Sequence, residues 1–298
     1  MTTRQNSSSD ASLLLEVPAK INFWLEVLNR RPDGYHNVSS LMLPIGIHDR
    51  VTAARRERGI ELGGDGGGVP LDRNNLAWRA AEIFLGARPD LGGVRLELTK
   101  RIPVAAGLGG GSADAAAVLL LLNRLAEPPL SLPDLARLAV QLGADVPFFL
   151  RRCPALATGI GEILEPIHGL PPYPLVLIKA PVAVATALVY SRLKLTRGGA
   201  RTRIATLLAH PWEPRRHLVN DLEAVTLEMH PRLKQIKAWL YRRGALGVLM
   251  SGSGPTVFAV YRTLPEARAI GSEADNEWPE CWVGVTEVLA SPSTGVGR

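Results

Sequence analysis

The sequence is poor in the features that would tie it to a bilayer, a metal or a disulfide framework. Its longest apolar run, Ala115 to Leu122, falls far below the roughly 20 residues that a membrane-spanning helix requires. The opening stretch, Met1 to Ser12, is polar and lacks the hydrophobic segment of a secretory signal. It is expected to be a disordered tail, as is Ser291 to Arg298. Only two cysteines occur in 298 residues, Cys153 and Cys281, far apart and in no metal-ligand spacing. Two free thiols in a reducing, cytoplasmic compartment are the expectation. The six histidines form no His-Glu-x-x-His cluster, so a zinc held by protein side chains is not expected. Aromatic residues make up 5% of the chain, and none is interleaved in its richest basic patch, Lys194, Arg197, Arg201 and Arg203. A nucleic-acid partner is therefore not expected either.

What is present describes an ordinary soluble protein, 46% hydrophobic and 21% charged, long enough for about two domains with real cores. A net charge of +6 suits anionic substrates. Composition leaves monomer and homodimer both open.

Along the chain, Leu13 to Val17 and Ile21 to Leu28 read as strands on either side of Pro18-Ala19-Lys20, paired through the Pro32-Asp33-Gly34 turn. Val38 to Ile47 and Asp49 to Ala54 read as further strands, and Gly63 to Gly68 as an exposed hairpin tip around Asp65. Helical spacing covers Asn74 to Leu85, with Asn74 or Asn75 as cap, and Leu132 to Leu142, with Pro133 in its first turn. Composition shifts at Arg151-Arg152-Cys153-Pro154, which places a hinge there and divides the chain into 1–153 and 154–298. Beyond it, Gly159 to Glu162 reads as a hairpin turn and Leu175 to Ile178 as a buried strand, after which Pro181 to Tyr190 runs into a helix. Helical runs Leu218 to Val225, Pro231 to Arg243 and Leu264 to Ala269 alternate with strands Gly247 to Met250, Thr256 to Val260 and Trp282 to Val288. That alternation predicts an antiparallel sheet with helices on one face.

The most informative stretch is Pro103, Val104, Ala105, Ala106, Gly107, Leu108, Gly109, Gly110, Gly111, Ser112 and Ala113. Backbone nearly free of Cβ atoms lets phosphate oxygens approach the N–H groups. Directly behind it comes an Ala- and Leu-rich helix with Ser112 as the expected N-cap, and a helix N-terminus binds anions. The stretch, fed by strand Val94 to Leu98, reads as a phosphate cradle. It is not a Walker loop, because no lysine follows the glycines, nor a Rossmann turn, because Ser112 stands where that fingerprint needs glycine.

Phosphoryl transfer needs a cation against developing charge and a group to take the acceptor's proton. Lys20 reads as that cation or as an exposed surface lysine, and Asp145 as a base or as a helix N-cap. Tyr35 with His36 suits stacking on a flat base and reading its edge, or else packing at a strand start. Gly252 and Ser253, in the turn Ser251 to Pro255, read as a hairpin loop or as backbone donors near phosphates.

Three motifs in this order, Pro18 to Asn22 with Arg31 to His36, then Pro103 to Ala116, then Met250 to Thr256, make the chain resemble the GHMP small-molecule kinases. The resemblance runs from about Leu14 to Leu289, and Ala19 to Asn22 with Asp33 to His36, together with Gly143 to Phe149, narrow it to the branch that acts on a cytidine-diphospho alcohol. It implies an α+β, two-domain fold: an N-terminal domain like the second domain of ribosomal protein S5 and a ferredoxin-like C-terminal domain, with the site between them. It implies transfer of the ATP γ-phosphoryl group, with Mg²⁺ carried on ATP, to the 2-hydroxyl of 4-(cytidine 5′-diphospho)-2-C-methyl-D-erythritol. Another acceptor within the same kinases is the alternative. On that resemblance Asp145 is the base and Lys20 its orienting partner. Pro103 to Ala113 bind ATP, with Asn75 and Lys100 around the adenosine. Tyr35 and Tyr190 sandwich cytosine, His36 reads its edge, and Asn22 and Thr186 are polar contacts in the pocket. Two positions depart from the family: Phe23, where leucine is more usual, and Arg152-Cys153-Pro154, where glycine is.

Overall fold

A computed structural model describes residues 12–195 and 204–290. The expected tails, apart from Ser12, and Arg197, Arg201 and Arg203 of the basic patch lie outside the described residues. Two long strands, β1 (Leu13–Arg30) and β2 (His36–Arg56), form an antiparallel ribbon. The Pro32-Asp33-Gly34 turn joins them, with Gly34 at a φ of 90°. Each had been expected as two strands. The chain instead stays extended through Pro18 and His48, with only a register shift between Pro18 and Ala19. A proline whose missing N–H faces away from the ladder interrupts nothing.

β3 (Gly59–Gly64) leads through α1 (Leu76–Ala87) to β4 (Gly93–Thr99), which lies parallel to β3 and antiparallel to β2. Gly63 to Gly68 is therefore not a hairpin tip, because a parallel neighbour requires a crossover. Asn75 caps α1 by accepting the Ala77 N–H at 2.9 Å. The helices α2 (Gly110–Leu125), α3 (Leu132–Leu142) and α4 (Val146–Arg151) follow, and α2 packs on β1 and β2 with α1, α3 and α4 around it.

Past the expected 153/154 division, β5 (Ala155–Thr158) pairs with β2, and β6 (Ile163–Pro166) with β5, so both still belong to the first sheet. Arg152 marks a helix end, with a φ of 52° and its N–H on the Phe148 carbonyl, rather than a break between sheets. The second sheet opens with β7 (Pro174–Lys179), followed by α5 (Thr186–Arg192) and α6 (Ile204–Ala209). β8 (Val219–Asn220) then returns to the first sheet, parallel to β1 at Trp24 and Leu25. The run expected to be helical from Leu218 is thus a strand first and becomes helical at α7 (Glu223–Met229). α8 (Pro231–Arg242), β9 (Gly247–Met250), β10 (Thr256–Val260), α9 (Leu264–Glu277) and β11 (Trp282–Glu287) complete the chain.

The second sheet runs β11-β7-β10-β9 with every pair antiparallel. With α8 and α9 on one face, it is the expected ferredoxin-like arrangement. Side-chain alternation along β7 explains how the two sheets join. Leu175 and Leu177 enter the core shared with β1, β2 and α2, while Val176 and Ile178 enter the core under α8 and α9. Phe23 serves the shared core by stacking on Tyr173 at 5.3 Å.

One charged cluster is sealed between the layers. Asp49 of β2 is fully buried and accepts N–H bonds from Arg101 at 2.6 Å and Ile102 at 2.8 Å. Its other oxygen takes the Lys100 ammonium, which also meets Asp114 of α2 at 2.6 Å. Asp49→Ala leaves the Arg101 and Ile102 N–H groups without their acceptor and the Lys100 ammonium with Asp114 alone, and is expected to cost about 2–4 kcal/mol in urea unfolding. Arg50→Ala, which removes the exposed pair with Glu16, is expected to cost about 1 kcal/mol or less.

Candidate active site

The site is built on the edge of β1 that faces away from β2. Lys20 donates its backbone N–H to the Leu108 carbonyl at 3.0 Å. Asn22, the next residue on that edge, donates its N–H to Ser251 Oγ at 3.3 Å. Ser251 Oγ in turn donates to the Gly107 carbonyl at 3.0 Å. The glycine loop, the turn after β9 and β8 thus attach side by side to one strand edge. Asn220 of β8 steadies that turn, donating to the carbonyls of Met250 at 2.8 Å and Gly252 at 2.7 Å.

Two glycines in the loop are there because nothing larger fits. Gly107 has a φ of 74°, and a Cβ on it would overlap the Ser251 carbonyl. Gly109, also at 74°, would place a Cβ 2.6 Å from the Phe149 ring and 3.1 Å from Lys20 Cγ. Gly109, left-handed and without a capping side chain, is the N-cap of α2; the expected cap, Ser112, lies inside the first turn. The first helical bond runs from the Ala113 N–H to the Gly109 carbonyl at 2.9 Å. The N–H groups of Gly110, Gly111 and Ser112 therefore stay open at the positive end of a 16-residue helix. Pro103 to Ala106 lead into the cradle: Val104 is exposed, Ala105 takes a φ of 51°, and Ala106 anchors the loop in the core, as does Leu108.

Lys20 and Asp145 meet beside this loop. Lys20 Nζ lies 3.5 Å from Asp145 Oδ2 and 2.6 Å from Asn22 Oδ1. The lysine side chain is 5% exposed and the aspartate 39%, so a fixed cation faces a carboxylate that solvent or a ligand can reach. Asp145 stands at the N-cap position of α4 without making a side-chain cap bond, which leaves that carboxylate free for Lys20. Asn22 Nδ2 is tied to Ser40 Oγ at 2.8 Å, fixing the amide that holds Lys20.

Two clefts meet at the loop. One, of about 760 Å³, is lined by Lys20, Asn22, Tyr35, His36, Asp145, Thr186, Tyr190, Gly252 and Ser253. The other, of about 530 Å³, is lined by Asn75, Lys100, Pro103 to Gly107 and Gly109 to Ser112. Gly107, Gly109 and Thr186 line both. In the first cleft the His36 and Tyr190 rings lie 5.1 Å apart, and Tyr35 is 60% exposed at its mouth. Burial lowers the His36 pKa from the ordinary 6.5, with Arg30 adding to the effect. Burial, helped by the Asp145 charge, pushes the Tyr190 phenol up to about 12. Thr186 Oγ1 and Ser253 Oγ share a hydrogen bond of 2.8 Å.

Known proteins share this architecture. Models for the GHMP kinases N terminal domain and the GHMP kinases C terminal match residues 75–152 and 203–280. The chain is 44% identical to 4-diphosphocytidyl-2-C-methyl-D-erythritol kinase of Geobacter metallireducens, over 89% of this chain and 95% of that one. It is 46% identical to the enzyme of the same name from Geobacter sulfurreducens, over 84% and 90%. The chain belongs to the 4-diphosphocytidyl-2-C-methyl-D-erythritol kinase family of GHMP kinases. A crystal structure of a 4-(cytidine 5′-diphospho)-2C-methyl-D-erythritol kinase superposes with a TM-score of 0.79 at 40% identity, covering 92% of this chain and 99% of that one. Homoserine kinase from Cytophaga hutchinsonii, 19% identical with a TM-score of 0.76 over 99% of this chain and all of that one, shares the fold alone.

Seen within this family, the expected residues fall around the two clefts. Lys20, Asn22, Tyr35, His36, Asp145, Thr186, Tyr190, Gly252 and Ser253 line the first, while Asn75, Lys100 and most of the glycine loop line the second. In the second cleft, Asn75 and Lys100 are each held by structural partners. Asn75 caps α1 and also donates to the Pro70 carbonyl at 2.7 Å, and Lys100 is clamped by Asp49 and Asp114. Burial works against the Lys100 charge, yet Asp114 and Asp49 together raise its pKa. Sequence reasoning missed Asp49, Asp114 and the bridging role of the Ser251 hydroxyl. The one available signal was a serine placed directly after a buried strand, at the head of a Ser-Gly-Ser-Gly turn. Ser251→Ala removes two hydrogen bonds from a fully buried hydroxyl and is expected to destabilise the protein by about 1–3 kcal/mol in urea unfolding.

Proposed function

We propose that this chain transfers the γ-phosphoryl group of ATP to the 2-hydroxyl of 4-(cytidine 5′-diphospho)-2-C-methyl-D-erythritol, a step in the non-mevalonate route to isoprenoid precursors. The observation that carries this reading is the Lys20–Asp145 pair at 3.5 Å, set where the glycine-loop cleft opens into the cleft with the aromatic wall. The loop amides and the α2 N-terminus hold the triphosphate in the second cleft, as an uncapped helix end suits. The acceptor lies in the first cleft, its cytosine between Tyr35 and Tyr190 with His36 at its edge.

Asp145 accepts the proton of the 2-hydroxyl as that oxygen bonds to the γ-phosphorus. The bond to the β-phosphate oxygen breaks and ADP leaves with the electron pair. Lys20, fixed by Asn22, orients the carboxylate and offsets charge on the transferring group. Mg²⁺ bound to ATP would neutralise phosphate charge. On this reading its ligands would be phosphate oxygens and water. A cytoplasmic enzyme with two free thiols and a small-molecule substrate fits this reading.

The same chemistry on a smaller alcohol, as in other GHMP kinases, would leave the aromatic wall without a purpose; a nucleobase uses it. Coupled ADP release across a panel of acceptors tests the choice. The cytidine-diphospho acceptor is expected to be turned over, and homoserine and mevalonate are not; turnover of either in its place would overturn the assignment. Asp145→Asn is expected to lower kcat by about 10²- to 10⁴-fold with the protein still folded, and near wild-type turnover would remove Asp145 as the base. Because burial lowers the His36 pKa, its neutral, edge-reading form persists on acidification. The KM for the acceptor is therefore expected to stay level as pH falls through 6.5 and to rise only below it, measured from pH-dependent initial rates.

A further inference from the structure

Neighbouring arginines at the end of β1 have different surroundings. Successive side chains on a strand point to opposite faces. Arg31 is committed, pairing with Asp33 at 2.9 Å and reaching Asn37 at 3.4 Å. Arg30 is exposed, lines the 760 Å³ cleft and stands directly across the ribbon from His36. Among the described residues no carboxylate lies within ion-pair distance of it.

The charge balance of the cleft gives this arginine a purpose. Among the described residues, the charged side chains lining it are Lys20, Asp145 and Arg30. Lys20 and Asp145 face each other and offset one another, so Arg30 supplies the remaining positive charge. An acceptor bearing a nucleoside diphosphate brings negative charge on its two phosphates, and a guanidinium with no competing carboxylate matches them in a two-pronged contact. The base itself has other partners in Tyr35, Tyr190 and His36. We propose that Arg30 binds the diphosphate of the acceptor and so selects a nucleoside-diphosphate-linked alcohol over an uncharged one. This rests on the acceptor assigned above.

The test compares cytidine with cytidine diphosphate as competitive inhibitors against the acceptor, in wild type, Arg30→Ala and Arg30→Lys. Arg30→Ala is expected to weaken inhibition by the diphosphate about tenfold, in the range of a charge-assisted hydrogen bond, and to leave inhibition by cytidine unchanged. Arg30→Lys is expected to recover part of the loss. Raising the salt concentration should weaken diphosphate binding more in wild type than in Arg30→Ala. Equal weakening for both inhibitors would move Arg30 to the base, and no change for either would make it a solvated surface residue; each result overturns the proposal. Either would leave the acceptor assignment standing provided wild type still turns over the acceptor, whereas a wild type that binds neither inhibitor nor acceptor would remove both.

Discussion

A single strand edge organises this molecule. The outer side of β1 presents backbone N–H groups that its partner β2 does not use, and three segments distant in sequence bond to it in succession. The glycine loop takes Lys20, the Ser251 turn takes Asn22, and β8 takes Trp24 and Leu25. The same residues carry site side chains: Lys20 and Asn22 supply backbone donors to the architecture and side chains to the cleft. Pro18, which lacks a donor, comes just before the first of these attachments. Once this edge is filled, the loop lies so close to Ser251, Phe149 and Lys20 that Cβ atoms are excluded at Gly107 and Gly109. The glycines serve close packing as much as phosphate approach.

The edge also explains why the site lies at a seam. β8 and the Ser251 turn come from the C-terminal half of the chain, and β7 sends alternate side chains into each of the two cores. The two clefts therefore have walls from both halves, with Gly107, Gly109 and Thr186 common to both. Beneath the glycine-loop cleft, two buried carboxylates around one ammonium join β2, the segment leading into the glycine loop and α2. Burial raises the Asp114 pKa against the pull of Lys100. The geometry of the cluster fixes the first turn of α2, whose open amides face the cleft.

Local chemistry made much of this legible. The Pro-Asp-Gly turn, the Asn75 cap, the Pro133 helix start and the alternating strands of the second sheet each depend on residues within a few positions of one another, and all are found. The misses share a cause. Pro18 reads as a break only if the strand is assumed to pair on both sides there. Val219 and Asn220 read as helix until β1 offers an edge. Gly63 to Gly68 reads as a hairpin until β4 proves to be a parallel neighbour. Arg152-Cys153-Pro154 reads as a hinge, although the left-handed residue there closes a helix. In the site, neither Lys20 nor Asp145 declared itself alone; the family resemblance put them together, and the fold brings their charges to 3.5 Å. Lys100 lines the glycine-loop cleft, and its partners Asp49 and Asp114 are visible only in three dimensions.

The central claim is that the β1 edge sets the open amides of α2 and the Lys20–Asp145 pair around one point, where phosphoryl donor and acceptor alcohol meet. A crystal structure of the ternary complex with a non-hydrolysable ATP analogue and the cytidine-diphospho acceptor tests it directly. The account predicts the triphosphate against Gly110, Gly111 and Ser112, with the acceptor 2-hydroxyl within hydrogen-bond reach of Asp145 and in line with the γ-phosphorus. A triphosphate bound away from those amides, or a 2-hydroxyl turned away from Asp145, would contradict it.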